Sequence, residues 1–153
     1  MMVEIKLDDL TDPRIADFLA DHIKDMRSVS PPESKHALDL EGLKKPEIAF
    51  WSAWSGEVLV GCVAIKRLDA EHAELKSMRT APSHRCQGVG AWMLNFSMEE
   101  ARRRGYRRLS LETGSMPFFV PARLLYAKHG FKPCPPFGSY KEDPNSAFMT
   151  REL

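Results

Sequence analysis

The sequence predicts an α/β protein built on one mixed sheet, not a doubly wound one. Three observations carry this. Glu47 to Trp54 and Val58 to Arg67 are β-rich runs joined at Ser55-Gly56-Glu57, the pattern of an antiparallel hairpin. Ala73 to Gly105 reads as strand, glycine-bearing turn and helix, and Arg108 to Thr113 follows as a strand, so a crossover is present too. With 153 residues, 43% hydrophobic and 28% charged, the chain fits a single domain over residues 1–153 with a real core.

Val3 to Leu7 alternates apolar and polar, as a strand does. Thr11-Asp12-Pro13 is a helix start, with a capping side chain and proline at the first helical position. Ile15, Phe18, Leu19, Ile23 and Met26 then fall on one helical face. Ser30-Pro31-Pro32 stops that helix, and Ala37 to Lys44 reads as a shorter one. After the hairpin, Glu74 to Thr80 is a strand that Ala81-Pro82 ends. Its pattern is irregular, because Leu75 and Met78 lie three apart and strict alternation sends them to opposite faces. A β-bulge between them reconciles the pattern. The helix Gly88 to Arg104 turns Val89, Trp92, Met93 and Phe96 toward the sheet and ends in arginines and Gly105. Phe118 to Lys128 is a further helix, and Phe131 to Cys134 and Ala147 to Arg151 complete the sheet around a Pro135-to-Ser146 loop.

Composition excludes several function classes. The net charge is +1, which gives no global pull toward nucleic acid or membrane. The arginines from Arg102 to Arg108 are read as helix C-terminal charges, not as an RNA site. No apolar run is long enough to span a bilayer, and the start of the chain lacks a signal-peptide core. Cys62, Cys86 and Cys134 are odd in number and form no C-x-x-C pair, so a cytoplasmic protein without metal is expected.

The turn Arg85-Cys86-Gln87-Gly88-Val89-Gly90 is where chemistry enters. Its glycines admit close backbone approach, and the helix behind it aims unpaired N–H groups and its positive dipole end into the turn. It is not a Walker loop, since no Lys-Ser or Lys-Thr follows its glycines. Nor is it a dinucleotide fingerprint, since Met93 stands at the third glycine position. Arg85-x-x-Gly88-x-Gly90 instead resembles the R/Q-x-x-G-x-G/A signature of the GNAT superfamily of N-acetyltransferases. Leu124-Leu125-Tyr126-Ala127-Lys128-His129-Gly130-Phe131 is similar to that family's L-Y-x-x-x-G-F segment. The stretches Pro31 to Leu40, Glu74 to Thr80 and Leu109 to Met116 look more narrowly like its bacterial YsnE-like branch.

The resemblance implies a mixed, mostly antiparallel sheet whose central strands splay, and acetyl-CoA as co-substrate. It assigns the pyrophosphate to Arg85, Cys86, Gln87, Gly88, Val89, Gly90 and Ala91, and pantetheine to the backbone of Met78 and Thr80. Where the family often has asparagine against the pantetheine arm, this chain has Phe119. It makes Tyr126 the general acid for the departing thiolate, and Glu74 the candidate base by its place six residues before Thr80. The bland reading of Glu74 is an ion pair with Lys76 or Arg79. Glu112 is the alternative base or an anchor for the acceptor. Trp51, Trp54, Arg79, Glu112 and Thr113 are the candidates for the acceptor pocket, one of the two tryptophans lining it and the other packing in core. The expected activity is direct acetyl transfer to a small-molecule amine. A catalytically inactive acyl-CoA sensor is the alternative, and a homodimer is left open.

Overall fold

The computed structural model describes residues 3–29 and 40–153. The Met26 side chain, the Ser30-Pro31-Pro32 stop and the start of the short second helix lie outside the described residues. In chain order the elements are β1 (Glu4–Leu7), α1 (Pro13–Val29), α2 (Leu40–Leu43), β2 (Ile48–Ser55), β3 (Val58–Arg67) and β4 (His72–Thr80). Then come α3 (Val89–Arg103), β5 (Arg108–Gly114), α4 (Val120–Lys128), β6 (Lys132–Pro133) and β7 (Ser146–Glu152).

One seven-stranded sheet runs in the order β1-β2-β3-β4-β5-β7-β6. Every neighbouring pair is antiparallel except β4 and β5, which the α3 crossover makes parallel. The expected mixed sheet is therefore present. α1 and α2 pack on one face, where Ile15, Leu19 and Leu43 meet Phe50, Trp54, Cys62 and Ala64. α3 and α4 cover the other, where Leu94, Met98 and Tyr126 meet Val63, Leu75 and Leu111.

Two features of β4 position the site. The first is the expected bulge. Lys76 pairs with Ala64 but Arg79 with Cys62, so Ser77 and Met78 together oppose Val63. Ser77 takes a positive φ of 54°, and its carbonyl accepts a hydrogen bond from the buried Cys62 thiol at 3.1 Å. The extra residue resets the alternation. Leu75 and Met78 can both pack toward α3, while Glu74, Lys76 and Arg79 share the α1 side opposite Lys66, Ala64 and Cys62.

The second is the split. Pairing of β4 with β5 runs from His72 and Arg108 only as far as Leu75 and Leu111. Beyond that level β4 continues to Thr80 on β3 alone, and β5 continues to Gly114 on β7 alone. The backbone edges of the two strands face each other without pairing, and a cleft opens between them.

Candidate active site

The cleft is a cavity of about 720 Å³ that runs from the first turn of α3 to the level of Leu111. Its floor is the exposed β4 edge, and α4 forms one wall through Pro121, Ala122, Leu125 and Tyr126. A mostly apolar wall with a few convergent polar groups is the usual make-up of a small-molecule site.

The turn ahead of α3 is set by two left-handed residues, Cys86 at φ 62° and Gly88 at φ 84°. A Cβ at Gly88 would meet nothing within 4 Å, so glycine is needed there for conformation, not for space. Gly88 is the N-cap of α3 and makes no side-chain cap; its carbonyl accepts the first helical bond, from the Trp92 amide at 3.0 Å. Among the described residues the amides of Val89, Gly90 and Ala91 find no acceptor. Three free donors at the positive end of a 15-residue helix, with Arg85 beside them, suit a phosphate-bearing group.

Acid–base groups gather where the strands part. Glu112, on β5, is held by burial to about 7, well above an ordinary carboxyl; Glu74 and Asp143 push it the same way, and Ser146 and Lys76 oppose. Tyr126 reaches the same level from α4. It is 8% exposed, stacks edge-on against Phe131 at 5.9 Å, and is pushed up to about 12 by burial and by the Glu112 charge. Glu74 is engaged otherwise. Its Oε2 accepts from Lys76 Nζ at 3.1 Å and from the Tyr140 hydroxyl at 2.6 Å, and Lys76 also donates to Tyr140 at 2.8 Å. On the α1 side, Arg79 pairs with Asp25 at 2.7 Å. His22 lies nearby, kept neutral by burial and by Arg79, which lower it to about 4.

Similarity to known proteins decides what this assembly is. The family model described as "Acetyltransferase (GNAT) family" matches residues 15–131. The chain belongs to the GNAT acetyltransferase family. It is 55% identical over 151 residues to the uncharacterized N-acetyltransferase YsnE of Bacillus subtilis, covering 99% of this chain and 100% of that one. It is 48% identical over 152 residues to the uncharacterized N-acetyltransferase YedL of Escherichia coli, covering 99% and 96%. The PaiA N-acetyltransferase of Thermoplasma acidophilum, solved in complex with coenzyme A, superposes with a TM-score of 0.76 at 18% identity over the whole of both chains. The chain is thus an acyltransferase of the YsnE-like branch, and the splayed sheet is the GNAT fold.

Most residues singled out in the sequence line this GNAT cleft: Glu74, Met78, Arg79, Thr80, Arg85, Cys86, Gly88 to Ala91, Glu112, Thr113, Phe119 and Tyr126. Three do not. Gln87 turns its amide back to the Ser83 carbonyl at 3.4 Å. Trp51 and Trp54 do lie on opposite faces, but both are core. Trp51 packs edge-on to Phe96 at 5.6 Å, and Trp54 lies under the Arg14 guanidinium and donates to Ser52 at 2.8 Å. The hairpin strand carrying them is two strands from the split, so no tryptophan of β2 reaches it. Sequence reasoning passed over His22, Asp25 and Tyr140, which all line the cleft. His22 and Asp25 share a helical face by their spacing of three, which marks a face but not what it meets. Tyr140 stands in a loop without periodicity. Among the described residues no cluster of His, Cys, Asp or Glu could hold a metal, and no helix is long and apolar enough to cross a membrane.

Proposed function

We propose that the protein is an acetyl-CoA-dependent N-acetyltransferase that passes the acetyl group directly to the amine of a small molecule, both substrates being bound together in the cytoplasm. The observation that carries this reading is the split itself. One continuous cleft joins a turn with three free amides to the point where Glu112 and Tyr126 converge. The residues present fit the co-substrate: Val89, Gly90, Ala91 and Arg85 would hold its pyrophosphate, and the unpaired β4 edge would accept the pantetheine amides as a short added strand. Acetyl-CoA supplies the thioester.

Glu112 takes the proton that the attacking amine must lose, directly or through water. A carboxyl held near 7 is suited to that, being more basic than an ordinary carboxylate yet about half ionised at neutral pH. Glu74 fits the role less well, because protonating its Oε2 would disrupt bonds from an ammonium and a phenol at once. Tyr126 stays protonated throughout the physiological range and donates to the sulfur as the C–S bond breaks. The nitrogen–carbon bond forms, the carbon–sulfur bond breaks and the sulfur leaves as a thiol; the proton taken up by Glu112 is released and Tyr126 regains one from solvent, so the proton count balances.

Thiol release from acetyl-CoA, followed with a panel of small amines, tests the proposal. Release should depend on the amine. Tyr126→Phe should cut kcat about 100-fold or more, in the range of a lost general acid, with little change in the KM for acetyl-CoA. Equal turnover by Tyr126→Phe would remove the acid role. Tight acetyl-CoA binding with no release to any amine would instead favour the sensor reading.

A further inference from the structure

The choice of acceptor presupposes acetyl transfer at the split. On that footing the acceptor would sit on the α1 side of the cleft, where the β4 bulge turns Glu74, Lys76 and Arg79 together. The charges there are unequally satisfied. Glu74 is compensated by Lys76 and Tyr140. Lys76 has donors committed to both of those groups. Asp25, 44% exposed on its side chain, is compensated by Arg79. Of the three carboxylates among the described residues that line the cleft, Asp25 and Glu74 are thus paired with cations, and Glu112 is left to face the single amine of the acceptor.

Arg79 is different. Its side chain is 7% exposed and lies against the Phe18 ring at 5.4 Å, yet among the described residues it makes a single side-chain hydrogen bond, from Nη1 to Asp25. Its Nε is buried without a partner among those residues. Ser77 Oγ, two positions earlier on the same strand and on the same cavity, is also buried without one. A buried guanidinium with donors to spare is costly unless a ligand completes it, and its planar fork matches a carboxylate better than any other small anion but phosphate.

We infer that the acceptor is an amino acid, its carboxylate bound by Arg79 and its amine presented to Glu112. The two groups are set apart along the cleft. Glu112 follows Leu111, the partner of Leu75, and Arg79 lies farther along β4 beyond the bulge. Substrate selection then depends on a carboxylate at one end and a deprotonatable amine at the other.

The test is acetylation of matched pairs: the standard α-amino acids, β-alanine and 4-aminobutyrate as free acids, each against its amide or its decarboxylated amine. Amino amides have less basic amines and so react faster when the carboxylate goes unrecognised, which makes a preference for the acid informative. At least one free acid should exceed its amide by tenfold or more in kcat/KM. Arg79→Gln should raise the KM for that acid at least tenfold, abolish the acid–amide difference, and leave the KM for acetyl-CoA within twofold. Asp25→Asn, which frees Arg79, should lower the acceptor KM; a role for the pair in merely anchoring α1 predicts no such gain. Amides or diamines acetylated as well as the acids, no free acid acetylated at all, or an Arg79→Gln defect confined to acetyl-CoA would each overturn the assignment. A protein that acetylates amines but prefers uncharged ones sinks only this inference. One that does not bind acetyl-CoA sinks the enzyme reading as well.

Discussion

At Glu112 the cost of the proposed base can be measured apart from its activity. Burial raises its carboxyl from 4.5 to about 7, so between those values the folded state holds a proton that the unfolded chain has lost. Stability then falls as pH rises through that window, by roughly 3 kcal/mol for a shift of this size. Glu112→Gln should therefore be more stable than the parent at pH 8 and lose that advantage at pH 4.5, which urea unfolding at the two pH values reads directly. In turnover, the same variant should lose the rising limb of kcat/KM near pH 7. A variant that keeps the limb would move the base elsewhere. Glu74→Gln should behave in the opposite way. It strands the Lys76 ammonium, 9% exposed, beside a neutral partner, and the expected loss is about 3–5 kcal/mol with the pH limb retained. The sequence placed both glutamates on adjacent strands but could not rank them. That ranking depends on Tyr140, 66 residues from Glu74 in the chain, whose hydroxyl settles which carboxylate is already engaged.

Among the elements, β5 and the turn into α4 meet closely at Gly114. A Cβ on Gly114 would lie 2.0 Å from Cδ2 of Phe119, so the ring fills the place a side chain would take. Gly114→Ala should cost about 1–3 kcal/mol by overpacking, and noticeably less in a Phe119→Ala background, a coupling that a double-mutant cycle in urea would detect. Phe119 thus packs against this joint and lines the cleft together with the apolar wall of α4. β4 was legible as irregular before its geometry was known, because Leu75 and Met78 cannot both face the core without an extra residue. The tryptophans of β2 were legible only as lying on opposite faces. Alternation assigns a side chain to a face of the sheet, and says nothing of how many strands separate it from the split. The arginines that close α3 are spent on Glu99 and Glu100 in the preceding turn, and Arg104 also caps the Trp51 ring at 5.1 Å. Helical spacing of three and four accounts for these pairs.

For the whole molecule, the sequence pointed to the α3 end of the cleft more fully than to the α1 side, where His22, Asp25 and Tyr140 were passed over. The α3 end is local: strand, turn and helix between Ala73 and Gly105 bring their own free amides together, so the order of elements was readable from the sequence. The α1 side of the cleft, where the acceptor is proposed to bind, is assembled from α1, β4, β5 and the loop before β7, elements distant in sequence that meet where the parallel pairing of β4 and β5 stops at Leu75 and Leu111. Everything proposed for the molecule depends on this interruption being an acetyl-CoA site. Thermal unfolding of the purified protein with acetyl-CoA, CoA, ATP or no addition tests it most directly, since a ligand of the native state alone stabilises by mass action. At about 100 times the dissociation constant the gain is about 2.7 kcal/mol, or roughly 5–10 °C for a chain of this size. Such a rise is expected with acetyl-CoA and CoA, and none with ATP. An unchanged melting temperature at millimolar acetyl-CoA, or an equal rise with ATP, would contradict it.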